Sequence, residues 1–413
     1  MSLTLAVLAS AATHATAARG AEGAEPADVQ EPSPLELSLF VDAYAAWQTA
    51  DEGTLATLSN HRLFSGQGAN LRAENGFSLA FLGLDAKYDA GNIGGVASLR
   101  FGEGAKIYHY KSDDSDAAFG VDHVYEAYAL WRPHERVELD AGLFLSPFGV
   151  EVYESWRNPN YTRGAVANYV QPTWHTGLMT KWEIDPQLDL LGFVANGSNL
   201  VSEAQERSGL DQTPSVGAQL AYAPNELLSL ALGGLVALDA EHNGDSGYDT
   251  FADVVATLQL DALTATLNAD LIVTENGAPN GRDRYCFGAA LLADYRLTDH
   301  FGVGARGEYL RDDASYDAGD VWQLVTGTIT LDVQLTPVPV SDAGASTLAA
   351  PSTGGASRSR AAPLLVLRWE NRWEQSNQDV FGKDSRGTED VADDLYSRVW
   401  FESVLGVVFT TLP

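Results

Sequence analysis

Residues Leu139–His175 read LDAGLFLSPFGVEVYESWRNPNYTRGAVANYVQPTWH, and the fold is decided by how the two parts of this stretch are read. The first part alternates. Val137, Leu139, Ala141, Leu143 and Leu145 fall on one side, and Glu138, Asp140, Gly142 and Phe144 on the other. Residues two apart share a face of a strand, whereas a helix would scatter them. The alternation stops at Ser146-Pro147 and resumes near Trp174. Residues 146–173 between them carry Glu151, Glu154, Arg157 and Arg163 among Phe148, Tyr153, Trp156, Tyr161 and Tyr169. Connections this long without regular structure are usually functional inside compact domains.

Working outward, the same period of two governs nearly the whole chain from Glu36. Leu37, Leu39, Val41, Ala43, Ala45 and Trp47 share one face, opposite Glu36, Ser38, Asp42, Tyr44 and Gln48. Further strands are predicted at 76–88, 92–102, 121–132, 136–145, 174–184, 187–196, 214–222 and 227–238. The series continues at 251–260, 263–273, 284–295, 300–310, 321–333, 364–374 and 396–410, which makes sixteen in all. Each has the length of a membrane-crossing strand, about 9–11 residues.

The connections alternate in length. Long ones are predicted at 49–75, 103–120, 146–173, 197–213, 239–250, 274–283, 311–320 and 375–395. Between them lie tight turns such as Asp89–Asn92, Pro133–Glu135, Asp185-Pro186, Ala223–Glu226, Asp261-Ala262 and Leu297–Asp299. Short turns on one rim and long loops on the other characterise transmembrane β-barrels, and a soluble sandwich has no reason to keep that asymmetry. The expected outer face carries Leu178, Val194, Leu220, Val254, Leu258, Leu267, Leu271, Leu291, Val303 and Leu331. Aromatics gather near its strand ends: Trp47, Tyr88, Trp131, Trp182, Tyr222, Tyr295, Tyr309 and Trp373, as interfacial girdles require. The expected fold is therefore an all-β, antiparallel transmembrane barrel of sixteen strands spanning residues 36–413, with short periplasmic turns and long extracellular loops.

Composition agrees. Lys+Arg 25 against Asp+Glu 56 give a net charge of −31, which excludes nucleic acid as a partner. The single cysteine, Cys286, excludes an intramolecular disulfide and a thiolate zinc site. Residues 1–17 are small and apolar and end in Ala15-Thr16-Ala17, an A-x-A cleavage pattern, although a basic start is missing. They are read as the remnant of a secretory signal peptide, followed by a flexible leader over 18–35. Nowhere else does an apolar run reach the length of a membrane-spanning helix. The expected location is the bacterial outer membrane, among its lipid and lipopolysaccharide.

Residues 337–362 break the scheme: a low-complexity Pro/Ser/Ala/Gly segment where a tight periplasmic turn belongs, read as an insertion. The last strand is apolar on one face through Phe401, Leu405, Val407 and Phe409. It is similar to the C-terminal segment by which the barrel-assembly machinery recognises its clients, but Thr410–Pro413 follow the aromatic residue.

Other motifs carry less. Gly302–Gly307 matches the dinucleotide fingerprint by letter, yet it lies within an alternating strand with no helix opening on it. Asp113, Asp114 and Asp116, and Asp312, Asp313, Asp317 and Asp320, crowd two outer loops without the spacing of a calcium-binding hand. They read as solvated anionic loops. No cofactor and no metal are expected. There is no G-x-S-x-G and no H-E-x-x-H. The chain is read as no enzyme; a hydrolase could only hide a serine beside His123 or His175 on the wall.

The residues Ala141–Gly149, Glu151, Asn158–Arg163 and His175–Gly177 resemble the OmpL-like outer-membrane β-barrel porins. In that family a strand ending in glycine, an aromatic and Pro-x-Gly leads to an acidic residue, an Asn-x-x-Tyr segment and His-x-Gly. The resemblance implies a channel for small hydrophilic solutes or ions, with no catalytic residues. The loop 146–173 is then expected to fold inward, with Glu151, Glu154, Arg157 and Arg163 as pore-constriction candidates. Wall candidates facing them are Arg100, Glu126, Asp140, Lys181, Arg306, Glu308, Arg368, Glu370 and Arg372. Their bland alternative is a set of ion pairs that only stiffen the barrel. A homotrimer is compatible with this reading. The competing function is an adhesin or receptor barrel with a closed lumen.

Overall fold

The computed structural model describes residues 34–49, 75–105, 123–197, 214–242, 245–278, 280–313, 321–336, 364–377, 381–384, 395–397 and 399–411. The expected signal peptide, the leader up to residue 33, the 337–362 insertion, the Asp113–Asp116 cluster, and Asp317 and Asp320 lie outside them.

Alternating sequence becomes strand wherever it was expected. The first eight strands are β1 (Leu35–Gln48), β2 (Gly76–Asp89), β3 (Ile93–Phe101), β4 (Val124–His134), β5 (Val137–Leu145), β6 (Trp174–Asp185), β7 (Leu188–Asn196) and β8 (Pro214–Asn225). Then follow β9 (Leu228–His242), β10 (Asp245–Leu260), β11 (Leu263–Thr274), β12 (Arg284–Arg296), β13 (Phe301–Asp312), β14 (Trp322–Gln334) and β15 (Leu364–Ser376). Two short strands, β16 (Phe381–Asp384) and β17 (Leu395–Ser397), pair only with each other; β18 (Val399–Thr410) ends the series. Each barrel strand pairs antiparallel with its sequence neighbour, β15 pairs with β18, and β18 closes on β1. The barrel thus has sixteen strands and no free edge.

Two connections differ from expectation: β16 lies within the loop predicted over 375–395 and pairs with β17 at its end. Where the sequence predicts a loop over 239–250, the β9–β10 ladder continues to a His242–Asp245 pair, with a shift at Gly247/Asp249. The polar residues there do not alternate with apolar ones as in the membrane, so the hairpin extension has no period-two hydrophobic signal.

The tight turns carry their own closures. Asp89 Oδ1 accepts from Gly91 N–H at 3.0 Å, Asp185 Oδ1 from Gln187 N–H at 2.8 Å, and Asn225 Oδ1 from Leu227 N–H at 2.9 Å. These Asx turns explain why Asp and Asn stand at that rim. The outer face is a continuous apolar band, with Leu178 65 % exposed and Leu291 59 %. In water such a surface would aggregate; in a bilayer it meets its solvent. Tyr88, Trp131, Trp182, Tyr222 and Tyr295 ring the short-turn rim on that face. The alternates Gln219, Asp253, Asn268, Asp270, Arg306 and Glu308 are buried inside.

Candidate functional site

Residues 146–173 leave β5 on the long-loop rim and return to β6, and between those points they bond to side chains on the inner wall. Two local devices shape the segment. Gly149 takes φ +78°, and a Cβ there would lie against the Gln171 side chain. Asn158 grips the backbone of Val152, with Nδ2 donating to its carbonyl at 2.7 Å and Oδ1 accepting from its N–H at 2.9 Å. A 3-10 turn at Ser155–Arg157 and a short helix, α1 (Ala165–Tyr169), are the only regular pieces in this loop.

The wall holds the loop largely by its main chain. Arg368 of β15 donates to the carbonyls of Ser155, Asn158 (3.0 Å), Pro159 (2.9 Å) and Asn160, while Asp332 of β14 orients its guanidinium at 2.7 Å. Glu370 accepts from the N–H groups of Tyr161 at 2.6 Å and Thr162 at 3.1 Å, and from the Thr162 hydroxyl. Arg372 Nη1 donates to the carbonyl of Arg163 at 2.7 Å. Arg368 is the fifth residue from the short-turn end of β15, so the loop descends past the barrel's middle.

The four loop candidates are placed differently. Glu151 pairs with Arg306 of β13 at 2.7 Å and accepts from Gly164 N–H at 2.9 Å; Arg306 also pairs with Glu308 at 3.1 Å. Glu154 pairs with Arg100 of β3 at 2.6 Å and accepts from the Tyr125 hydroxyl at 3.2 Å. At both places the loop touches the wall, so these charges do not face each other across a gap. Arg163 lies over the Tyr153 ring at 4.2 Å and donates to Ala167 carbonyl at 3.2 Å. Arg157 is half-buried, and its side chain makes no hydrogen bond among the described residues. Burial pushes the Glu154 carboxyl up, but Arg100 and Arg157 outweigh it and hold it below the ordinary range. Burial prevails at Glu151, lifting it above that range although Arg306 is adjacent.

The remaining wall candidates divide. Arg100, Arg306, Glu308, Arg368, Glu370 and Arg372 converge on the loop. Asp140 and Lys181 do not: Lys181 Nζ pairs with Asp140 at 2.5 Å and Glu138 at 3.0 Å, and Arg132 links Glu138 to Asp89 near the short-turn rim. Glu126 accepts from Leu145 N–H at 3.4 Å at the loop's root. His175 Nε2 lies 3.4 Å from Ser146 Oγ, but its Nδ1 has no partner among the described residues. Phe144 and Phe193 enclose the ring. A serine–histidine pair without an orienting carboxylate and sealed from solvent does not make a nucleophile site.

Several residues that hold the loop were not singled out in the sequence. Asp42 accepts from Tyr161 hydroxyl at 2.6 Å and Ser155 hydroxyl at 2.7 Å. Gln171 Nε2 donates to Asn268 at 2.7 Å and Asp270 at 2.8 Å. Glycines on the inner face make room: a Cβ at Gly304 would stand 1.8 Å from Pro159 O, and one at Gly406 2.2 Å from the Tyr161 ring. The visible signal was glycine at lumen positions of alternating strands, including Gly304 within the sequence that imitated a nucleotide fingerprint.

A closed sixteen-stranded antiparallel barrel with an apolar, girdled exterior and a polar interior is an outer-membrane β-barrel of the porin class. The family described as "Putative beta-barrel porin-2, OmpL-like" matches residues 34–399, and the chain belongs to it. The fold is similar to OmpT of Vibrio cholerae (9 % identity, TM-score 0.54, 93 % of this chain and 100 % of that one). It is also similar to the anion-selective porin from Comamonas acidovorans (11 %, 0.55, 91 % and 99 %) and to the channel DcaP of Acinetobacter baumannii (12 %, 0.55, 91 % and 96 %). At these identities the likeness concerns the fold alone. No curated protein matches the chain.

Proposed function

We propose that the chain is a non-enzymatic, passive diffusion channel for small hydrophilic solutes or ions, whose lumen is narrowed by residues 146–173. The observation that carries this reading is the grip of Arg368, Glu370 and Arg372 on consecutive loop peptides, which sets the segment across the lumen. Arg157, half-buried and with no side-chain hydrogen bond among the described residues, is the loop charge best placed to meet a passing ion. Over the whole chain Asp+Glu 56 exceed Lys+Arg 25, although Arg100, Arg306, Arg368 and Arg372 oppose that acid on the inner wall. That excess raises the local cation concentration and makes the pore mildly cation-preferring. Export through a signal peptide at residues 1–17, β18 as the segment read by the barrel-assembly machinery, and a surround of lipid and lipopolysaccharide complete the reading.

A closed-lumen receptor or adhesin is the second reading, and the direct Glu151–Arg306 and Glu154–Arg100 contacts favour it. Single-channel recording of the full chain and of a chain lacking residues 150–168 separates the two. Discrete steps from the full chain, larger after deletion, support the narrowed channel. Steps only after deletion identify a sealed lumen, and silence from both ends the channel reading.

A further inference from the structure

One buried carboxylate on the inner wall is left without a partner. Glu402 is the fourth residue from the long-loop end of β18, faces the lumen and is fully buried. Neither of its carboxylate oxygens receives a hydrogen bond. Its cross-strand neighbours are engaged elsewhere. On β15 it stands opposite Arg372, whose Nη1 donates to the Arg163 carbonyl and the Thr162 hydroxyl and whose Nη2 pairs with Glu374 at 2.5 Å. On β1 it stands opposite Gln48, whose Oε1 accepts from the Trp400 indole at 3.1 Å and whose Nε2 reaches no acceptor. A carboxylate stripped of water and left unpaired is among the costliest groups to bury.

The shortage of positive charge is collective. The charges that act on Glu402 are Arg372, Glu370 and Glu374, and the same guanidinium serves all three carboxylates. The other arginines nearby are already matched, Arg368 by Asp332 and Arg306 by Glu151 and Glu308. Glu370 is at least hydrogen-bonded, by the Tyr161 and Thr162 amides and by threonine hydroxyls. Glu402 has no such support. A water held by Gln48 Nε2 would hydrate its carboxylate and leave the charge in place. A cation would balance it.

We infer that Glu402, with Glu374 beside it, holds a small monovalent cation on the long-loop side of residues 146–173. Trp400, cross-strand from Glu374 and two residues before Glu402 on the same face, stands between the site and the rim. That enclosure suits a bare ion and not a large solute. No three acidic or histidine side chains among the described residues converge to hold a metal ion of higher charge, so the class of ligand is an alkali ion. As a binding site it does not depend on conduction. Its second meaning rests on the channel reading: a permeating cation exchanges water for carboxylate oxygen here before it meets the loop, which assigns the cation preference to named residues.

The probe is rubidium, an alkali ion visible by its anomalous scattering. Crystals of the full chain grown in rubidium chloride should show an anomalous peak within bonding distance of a Glu402 carboxylate oxygen. In detergent, the temperature at which the barrel loses its heat-modifiable gel shift should be higher in rubidium chloride than in N-methylglucamine chloride of equal ionic strength. Glu402→Gln should weaken the apparent rubidium affinity by about tenfold, the loss of one charged contact. In N-methylglucamine chloride the same variant should be no less stable than wild type, because it removes an unmatched charge. Glu138→Gln, at the opposite rim beside Arg132 and Lys181, should keep the rubidium response. If Glu402→Gln fails to fold, the anomalous map of the wild-type chain decides alone. No peak at Glu402 overturns the inference, and so does a rubidium response that Glu402→Gln leaves unchanged. A carboxylic-acid infrared band that Glu402→Gln removes also overturns it, since a proton then stands where the cation is placed. A chain that binds rubidium there but is silent in bilayers ends the channel reading and not this site; a conducting chain without the peak does the reverse.

Discussion

Replacing Arg368 by methionine removes the guanidinium that holds the loop's main chain and keeps most of the side-chain volume. Of its four carbonyl contacts, those to Asn158 at 3.0 Å and Pro159 at 2.9 Å have ordinary hydrogen-bond lengths and the one to Ser155 is closer still, while the one to Asn160 at 3.4 Å is too long to count for much. A hydrogen bond to a charged group contributes roughly 1.5–3 kcal/mol, and the low end applies because the freed carbonyls can meet water in the lumen. Three such bonds give about 4 kcal/mol against loop docking, or a shift of roughly a thousandfold in the docked-to-undocked ratio. Hydrogen exchange of the Tyr161 and Thr162 amides, which Glu370 accepts, reads that ratio directly. Their protection should fall by about two to three orders of magnitude. Barrel amides should stay protected, because the strand ladder does not involve Arg368's side chain. Lys181→Met is the matched control, since Lys181 pairs only with Glu138 and Asp140 of the wall. Unchanged protection at Tyr161 and Thr162 in Arg368→Met would refute the claim that the main-chain grip seats the loop.

Further outcomes follow from the same geometry. Gly304→Leu places a side chain against the Pro159 carbonyl and should expose the loop to exchange with the barrel still folded; Gly307→Leu, three residues along and on the outer face, should leave the loop alone. For pH, Glu154 is held low, so its ion pair with Arg100 is intact above the ordinary carboxylate range and is lost as pH falls through its depressed value. Glu151 is held high, so its protonation comes earlier and favours docking. The loop should therefore stay seated from neutral pH down to the ordinary carboxylate range and loosen only below it. Conductance recorded across that series should rise only at its acid end, and Glu154→Gln should abolish the rise. The reversal potential in a salt gradient should carry the sign of a cation preference; the opposite sign removes the assignment of the acidic wall.

The strands were legible because each face answers to a different solvent. Leu178, Leu291 and Leu331 outward and Gln219, Asp270 and Arg306 inward leave a period of two that needs no structure to find. The β9–β10 extension was illegible because beyond the membrane neither face is apolar. Inside the barrel the charge types were visible and their pairing was not. Glu151 lies 155 positions from Arg306 and Arg100 lies 54 from Glu154, so nothing local links them. Asp42 read as one polar alternate among many, although it anchors both Ser155 and Tyr161. The grips on main-chain carbonyls and amides were hidden for a simpler reason: a peptide group is present at every position and marks none.

How the loop is held also bears on how it can be released. Buried ion pairs contribute little net stability, because the attraction of Glu151 for Arg306 is set against stripping both of water. Once the loop moves into a wet lumen, both partners rehydrate and that balance closes. The apolar contacts do not rehydrate favourably. Val166 and Val170 of the helical segment belong to one cluster with Leu292 and Leu310 of the wall, and Gly288 leaves them room to approach. Pro159 and Tyr161 sit likewise in the notches at Gly304 and Gly406. The loop's seat is therefore defined by shape and by its peptide groups, and only secondarily by its charges. Changing Arg157 should then alter which ions pass more than whether the loop is seated, whereas filling a notch should unseat it and leave every charge in the chain unchanged.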